Sequence, residues 1–195
     1  MRKLIVSEFL TLDGVLQAPG GADEDRSGGF EYGGWQHPYF DDLSAKTVID
    51  GMNETGGFLL GRRTWEIFAA YWPTAPEEER AYGDPLNTLP KYVASRTLRE
   101  PLEWNNSTLI SGDVAAAVRD LKQQSGKDLQ VIGSGNLVQT LIASDLVDEF
   151  RLMIHPLVLG SGARLFGDGV PRRPLELIES IVSTTGVLIA RYRPA

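Results

Sequence analysis

Short apolar runs alternate with amphipathic stretches along the chain, and this pattern predicts alternating strands and helices. Residues 3–12 form an aliphatic run that predicts the first strand, and residues 58–60 form a shorter run typical of a fully buried strand. Between them, residues 39–52 place apolar side chains at helical spacing and predict a helix. Further strands are predicted at residues 91–95, 107–111, 129–132, 148–159, 175–183 and 187–192. Strands that alternate with helices imply right-handed crossovers and a largely parallel sheet.

Glycine and proline residues mark the loops between these elements. Residues 17–35 are rich in glycine and charge and predict a long loop, of a length that usually carries a function. Residues 71–90 contain four prolines and predict mainly loop with one short helix. Pro156 predicts a bend within the strand at 148–159, and Thr185-Gly186 predicts a hairpin that adds antiparallel strands at one sheet edge. We therefore predict one α/β domain over residues 1–195, with helices on both faces of the sheet.

One strand-to-helix junction carries two arginines. Residues 57–68 read GFLLGRRTWEIF: Gly61 ends the apolar run, Arg62 and Arg63 follow it, and Thr64 is the expected cap of the next helix. Arginine offers fixed, forked donors that suit a phosphate group beside a helix N-terminus. Arginines are also common as solvated surface charges, so the residues alone leave both interpretations open.

A second junction, in which glycine again separates a buried strand from a helix, lies about seventy residues later. Residues 128–146 read DLQVIGSGNLVQTLIASDL, in which Gly133-Ser134-Gly135 separates a buried strand from a helix. Backbone N–H groups at such a helix N-terminus attract anions, and glycine lets a phosphate approach the backbone. A plain turn remains the alternative for this segment taken by itself.

Composition narrows the possible functions. The net charge of −7 and the pI near 4.9 argue against a nucleic-acid-binding surface. Cysteine is absent and the two histidines, His37 and His155, lie far apart, so a metal site or a thiol nucleophile is not expected. The N-terminus lacks a convincing signal peptide, and no apolar run approaches the ~20 residues that span a bilayer. We expect a cytoplasmic protein without nucleic-acid or membrane partners.

Five segments in order resemble a known family. They are the Leu12-Asp13-Gly14 turn, GRRTWE at 61–66, LPKYVASRTL at 89–98, VIGSGNLVQTL at 131–141 and HPLVLGSGARLF at 155–166. Together they resemble the C-terminal reductase domain of the RibD enzymes of riboflavin biosynthesis, within the dihydrofolate reductase-like superfamily. The resemblance covers nearly the whole chain. It implies a three-layer α/β/α sandwich whose sheet is mostly parallel and ends in an antiparallel hairpin.

The same resemblance implies NADPH as the cofactor and assigns two groups of residues to its phosphates. The residues at the two strand-to-helix junctions would hold the cofactor phosphates: Gly61, Arg62, Arg63 and Thr64 at the first junction, and Gly133, Ser134, Gly135 and Asn136 at the second. The pyrophosphate would lie at the second junction. Ser95 and Arg96 would lie near the adenosine 2′-phosphate, which distinguishes NADPH from NADH.

The resemblance also implies that the reacting end of the cofactor lies beside the end of the first strand. This makes Asp13 the candidate catalytic residue, although Asp-Gly is also an ordinary turn signal. Trp35 is a candidate to stack on a flat substrate ring, with burial in the core as the alternative. Asp41 and Asp42 on the 39–52 helix are the candidate substrate-binding acids. The proton donor stays open between Asp13, a carboxylate on that helix, and water.

The expected activity is hydride transfer from NADPH to a small heterocycle, such as the ribosylated pyrimidine that the riboflavin enzymes reduce. The alternatives are dihydrofolate reduction and a non-catalytic NADPH- or nucleotide-binding module. The sequence around Asp41 and Asp42 differs from the folate pattern, which favours the pyrimidine. The resemblance also implies a homodimer that covers the edges left by the late strands.

Overall fold

The computed structural model describes residues 1–195 and contains eight strands and five α-helices. The strands are β1 (Leu4–Thr11), β2 (Thr55–Gly61), β3 (Lys91–Ala94), β4 (Ser107–Ile110), β5 (Asp128–Ile132), β6 (Glu149–His155), β7 (Leu175–Val182) and β8 (Leu188–Pro194). The helices are α1 (Asp42–Glu54), α2 (Arg62–Tyr71), α3 (Arg80–Thr88), α4 (Val114–Gln123) and α5 (Gly135–Ala143).

All eight strands belong to one sheet with the order β4-β3-β2-β5-β1-β6-β8-β7. The pairs from β4 to β6 are parallel, and β8 lies antiparallel to both β6 and β7. Crossovers that carry helices between parallel strands account for this arrangement. The predicted α/β fold, with its mostly parallel sheet and closing hairpin, is confirmed.

Two apolar layers cover the two faces of the sheet. On one face, Leu4, Val6 and Leu10 of β1 pack in a cluster with buried residues of α4 and α5, as the two-residue alternation of a strand requires. On the other face, Phe58 of β2 packs in a second cluster with Met52 of α1 and with residues of α2 and α3. The carboxyl ends of the parallel strands therefore meet along one open edge between these two layers.

Several element boundaries differ from those predicted. The strand predicted at 148–159 ends at His155, because Pro156 has no N–H to continue the ladder; it terminates the strand instead of bending it. Thr64 is not a helix cap: α2 begins at Arg62 with Gly61 as its N-cap. Asp113 is the N-cap of α4, since its carboxylate accepts a hydrogen bond from the N–H of Ala116 at 3.0 Å.

The glycine-rich segment 17–35 is a loop, as predicted, and it is tightly folded. Gln17 is buried and donates hydrogen bonds to the carbonyls of Asp25 and Ser27. Gly33 lies so close to the backbone of residues 21 and 22 that a Cβ there would be 2.4 Å from the carbonyl oxygen of Gly21. This segment is named the glycine loop below.

None of the helices combines the length and apolar character that a membrane span requires. No cluster of three or more histidine and acidic side chains is arranged to hold a metal ion.

Candidate functional site

A cavity of about 1990 Å³ runs along the carboxyl edge of the sheet. Its walls include the ends of β2, β3 and β5, the first turns of α2 and α5, one side of α1 and part of the glycine loop. All ten residues predicted to hold the cofactor line this cavity: Gly61, Arg62, Arg63, Thr64, Ser95, Arg96, Gly133, Ser134, Gly135 and Asn136. The structure thus brings together segments that are separated by more than seventy positions in the chain.

Hydrogen bonds join the two glycine junctions directly. The N–H of Gly61 donates to Oγ of Ser134 at 2.9 Å, and the N–H of Ser134 donates to Oγ1 of Thr64 at 3.0 Å. Gly133 and Ser134 both have positive φ angles, of 58° and 63°. Two left-handed residues in succession make the sharp turn between β5 and α5. Thr64, expected as a cap, therefore serves as a cross-link between the junctions.

The N–H groups that are free to bind an anion begin at Gly135, because those of Gly133 and Ser134 are already occupied. The N–H of Gly133 donates to Oε2 of Glu8 at 3.1 Å, and the N–H of Ser134 is occupied by Thr64. The first turn of α5 leaves the N–H groups of residues 135–137 without partners inside the chain. These three groups, at the positive end of the helix dipole, are the donors available to a phosphate.

The three predicted arginines differ in how much of their charge is already paired. Arg62 forms an ion pair with Glu66 at 3.0 Å. Arg63 pairs with Asp25 of the glycine loop at 3.3 Å and also contacts Ser27, which ties the start of α2 to that loop. The guanidinium of Arg96 makes no ion pair and no hydrogen bond with the chain. Arg96 is thus the most available positive charge among the three.

Ser95 holds the turn that presents Arg96. Its hydroxyl oxygen accepts hydrogen bonds from the N–H groups of Thr97 and Leu98 at 3.1 and 3.0 Å. The residue is buried at the end of β3, while Arg96 next to it is exposed. Ser95 therefore fixes the local backbone, and its neighbour supplies the charge.

Asp13 lies outside the cavity walls, and both of its carboxylate oxygens are engaged. Oδ1 accepts from the hydroxyl of Thr11 at 2.6 Å, and Oδ2 accepts from the N–H of Gly160 at 2.9 Å. The Thr11 hydroxyl, with backbone N–H groups of the 159–160 turn and Arg164, holds the pKa of Asp13 well below its usual range. Such a carboxyl is ionised near neutral pH and has no proton to donate. Its position indicates a residue that ties the end of β1 to the 159–164 loop.

Trp35 also lies outside the cavity and is buried. Its ring N–H donates to the carbonyl of Gln17 at 2.7 Å, and its ring packs edge-on against His155 at 5.1 Å between centroids. Trp35 therefore anchors the glycine loop on the core, and no face of the ring is presented to the cavity.

The two candidate acids before and at the start of α1 do not face the cavity either. Asp41 is the N-cap of α1: it accepts from the N–H of Ser44 at 2.9 Å and from the hydroxyl of Thr184 at 2.7 Å. The Thr184 hydroxyl is the main reason that the pKa of Asp41 lies well below its usual range. Asp42 is exposed at the first position of the helix. The structure therefore separates Asp13, Trp35, Asp41 and Asp42 from the ten residues predicted to hold the cofactor.

Glu8 is the functional candidate that the sequence reasoning missed. It lies on β1, lines the cavity and is only 6% exposed. Oε2 accepts the hydrogen bond from Gly133, whereas Oε1 is buried without any partner. Burial raises the pKa of Glu8 well above its ordinary value, and the Gly133 N–H offsets only part of that rise. A charged residue inside an aliphatic run was the available signal, because charges are rarely buried without a reason.

Comparison with known proteins agrees with the geometry of this fold. The model of the RibD C-terminal domain matches residues 2–189. The Bacillus subtilis protein YyaP is 31% identical over 197 residues, covering 98% of this chain and 94% of its own length. YwjB of the same organism is 29% identical over 108 residues, covering 55% of this chain and 56% of its own.

Two solved structures share the fold. A putative riboflavin biosynthesis protein from Shewanella sp. PV-4 has a TM-score of 0.75 at 22% identity, with 99% of each chain covered. A pyrimidine reductase-like protein from Corynebacterium diphtheriae has a TM-score of 0.66 at 13% identity, with 100% of this chain and 92% of the other covered. Because the family model matches residues 2–189, nearly the whole of this chain, the chain belongs to the RibD C-terminal domain family.

Proposed function

We propose that this protein is an NADPH-dependent reductase of a small heterocycle, with a ribosylated pyrimidine as the favoured substrate. The observation that carries the proposal is the placement of all ten candidate cofactor residues along one cavity. Two of the chemical groups that bind the phosphates of a dinucleotide are available there: free helix N-terminal N–H groups and an unpaired guanidinium.

The order of these groups across the sheet supports a dinucleotide. Adjacent strands run β3-β2-β5-β1, so the cavity edge carries Arg96, then the Gly61–Thr64 turn, then the α5 N-terminus, then Glu8. Neighbouring strands are about 4.8 Å apart, so this path spans about 14 Å. An extended NADPH laid along it would set its 2′-phosphate at Arg96, its pyrophosphate at the two junctions and its nicotinamide at β1.

The substrate side of the cavity lies between β1 and α1. Phe9 of β1, Phe40 and the α1 residues Leu43 and Thr47 line it. The acids of α1 itself, at positions 42, 50 and 54, are all exposed. Charged residues such as Lys46, Asp50 and Arg151 line the cavity as well. A wall of aromatic, aliphatic and charged side chains suits a polar flat heterocycle, whereas a folate needs a buried carboxylate that this helix does not offer.

In this reaction the chain binds and orients the cofactor and limits the access of water. When bound, the reduced cofactor supplies hydride, which is the difficult part of the chemistry. The junctions bind and orient the phosphates through backbone N–H groups and arginines. The glycine loop, held to α2 by the Arg63–Asp25 ion pair, covers the cavity and limits the access of water.

Two measurements test the proposal together. We expect NADPH to quench the protein's tryptophan fluorescence at lower concentrations than NADH. We expect NADPH absorbance at neutral pH to fall with a ribosylaminopyrimidine and to fall slowly or not at all with dihydrofolate. Dihydrofolate turnover within the ordinary enzymatic range of about 1–1000 s⁻¹ would favour the folate activity instead.

A non-catalytic nucleotide-binding module is the second candidate. It is favoured by the structural contacts of Asp13, Asp41 and Trp35, because these three predicted catalytic or substrate-binding residues are then not available to a substrate. NADPH binding without oxidation in the presence of either substrate supports this candidate.

We propose further that two copies of the chain associate through the sheet edge. The edge strand at the C-terminal end of the sheet order is β7, whereas the late strands β6 and β8 are internal. Leu177, Ile178, Ile181 and Val182 of β7 are 45–64% exposed, an apolar surface that monomers usually cover. Light scattering should give twice the chain mass of 21.4 kDa, and Val182→Lys should shift the mass toward the monomer. A monomeric parent protein at micromolar concentration contradicts this assembly.

A further inference from the structure

A series of aromatic side chains leads from the substrate wall of the cavity toward α3. The ring of Phe9 on β1 packs edge-on against Phe40 at 6.3 Å between centroids, and Phe40 packs against Tyr82 of α3 at 6.4 Å. All three side chains line the cavity. Phe9 packs on the same apolar cluster as Leu43 of α1, and α3 packs against α1, so the series lies on the α1 face of the sheet. It begins at the strand where the proposed function places the nicotinamide.

The carboxylate of Glu79 lies at the far end of this series. Glu79 precedes α3 by one residue, lines the cavity and is one helical turn before Tyr82. Its Oε2 accepts a hydrogen bond from the hydroxyl of Tyr71 at 2.8 Å, whereas Oε1 has no partner in the chain. Burial and, to a smaller extent, the charge of Glu79 raise the pKa of Tyr82, in agreement with their proximity. Glu79 therefore offers one free acceptor oxygen at this end of the cavity.

The positive side chains around the substrate end are already neutralised. Apart from the three arginines of the cofactor end, each cation that lines the cavity lies within 3.4 Å of an acid: Lys46 of Asp50, Arg151 of Glu54, Arg164 of Asp13 and Arg191 of Glu149. The ring of His37 contacts the carbonyl of Gly20. The unpaired guanidinium of Arg96 follows β3, which is three strands away from β1. A phosphate group on the substrate would therefore meet no free cation here.

Two carboxylates on the same side have no cationic partner. They are Glu79 and Glu24 of the glycine loop, whose Oε2 accepts from the N–H groups of Gly20 and Gly21 at 2.6 and 3.0 Å. Glu8 does not add to them, because it alternates with Phe9 along β1 and points to the α4/α5 face. A carboxylate repels a phosphate but accepts hydrogen bonds from sugar hydroxyls, as acids do with the ribose of dinucleotides. The charges at this end thus favour a sugar without phosphate.

We propose that the substrate binds as a nucleoside without a phosphate group, with its flat ring against Phe9 and Phe40 and its sugar hydroxyls donating to Glu79. This inference rests on the proposed reductase function and specifies the substrate of the same site. Tyr71 fixes one oxygen of Glu79 and leaves Oε1 to the sugar. The aromatic series offers the ring an uncharged packing surface. A 5′-phosphate would bring up to about two negative charges beside a carboxylate.

A matched pair of ligands tests this inference: a ribosylaminopyrimidine and its 5′-phosphate. We would titrate each by calorimetry into the protein saturated with NADP⁺, which occupies the cofactor end and has no hydride to transfer. The nucleoside should bind at least about tenfold more tightly than its 5′-phosphate, because only the latter is repelled by Glu79. Oxidation of NADPH should show the same order in kcat/KM.

Glu79→Gln and Glu79→Lys separate the role of the charge from that of the fold. Glutamine lacks the negative charge that strengthens the sugar contact, so the nucleoside should bind about tenfold more weakly while the NADPH dissociation constant stays the same. Lysine supplies the missing cation and should reverse the order of the two ligands. Glu78→Gln is the matched control: Glu78 is the exposed neighbour of Glu79, lies outside the cavity walls, and should leave both affinities unchanged.

Several results would overturn this assignment. Tighter binding of the 5′-phosphate by the parent would do so, and loss of that binding in Lys46→Ala would then identify Lys46 as the phosphate-binding group. Unchanged affinity for the nucleoside in Glu79→Gln, or binding of neither ligand by a protein that binds NADPH, would also overturn it. Nucleoside binding without NADPH oxidation would instead refute the reductase activity and leave the preference for an unphosphorylated ligand supported. Failure of the parent to bind NADPH would refute the proposed function, and this inference with it.

Discussion

Replacing Arg96 with alanine is expected to abolish most of the preference for NADPH over NADH. Arg96 is the arginine of the cavity whose guanidinium is not paired within the chain, whereas Arg62 and Arg63 are paired with acids. A hydrogen bond to a charged group contributes about 1.5–3 kcal/mol, so the NADPH affinity should fall roughly ten- to hundredfold. NADH lacks the 2′-phosphate, and its affinity should stay the same. Fluorescence titrations of both cofactors measure the two dissociation constants.

Arg99→Ala is the matched control for this prediction. Arg99 belongs to the same turn, but it does not line the cavity, and its guanidinium donates only to backbone carbonyls such as that of Leu98 at 3.0 Å. We expect it to keep the parent's ratio of dissociation constants. Equal losses in Arg96→Ala and Arg99→Ala would mean that the turn, and not the charge of Arg96, sets the cofactor preference.

Gly33→Ala is expected to destabilise the glycine loop and weaken cofactor binding. The new Cβ would lie 2.4 Å from the carbonyl oxygen of Gly21 and 2.5 Å from that of Ala22. Both contacts are with backbone, which cannot move aside as a side chain can. Overpacking of this kind costs about 1–3 kcal/mol, which corresponds to a decrease of several degrees in Tm. Because the loop lines the cavity, limited proteolysis within residues 17–35 and the NADPH dissociation constant should change together.

Gly21→Ala separates this clash from the general cost of replacing a loop glycine. A Cβ at Gly21 would meet only the Cβ and the backbone N of Glu24, at ordinary contact distances of 3.6 and 3.9 Å. We expect its Tm to stay close to that of the parent. If Gly33→Ala melts and binds like Gly21→Ala, the close packing of the loop is not needed for the site.

The fold was predictable because the sequence patterns that indicate its strands and helices are local and recur along the chain. Apolar runs and helical spacing located the strands that surround the site, and the glycine breaks at Gly61 and Gly133 located its two junctions. The errors at strand ends have equally local causes: Pro156 ends β6 where a bend was predicted, since it cannot donate to the ladder.

The site was predictable only in part, because the roles of polar residues depend on partners distant in the chain. Asp13 is a plausible acid until the 159–164 loop folds back onto it, 146 residues away. Trp35 is a plausible stacking ring until the core covers it. Thr64 changes from a cap to a cross-link for the same reason, since its partner Ser134 follows 70 residues later. Glu8 went unrecognised because its burial arises only when β5 pairs with β1.

The cross-links at Ser134 also determine how the phosphate site responds to unfolding. They join the start of α2 to the start of α5, so the site exists only when the central strands between them are assembled. A fragment that ends before residue 134 therefore has no phosphate site, however native its first half becomes. A ligand that binds the phosphate site binds only the native state, so it stabilises the whole folded sheet by mass action. NADPH should accordingly slow proteolysis throughout the chain and not only in the loops it touches.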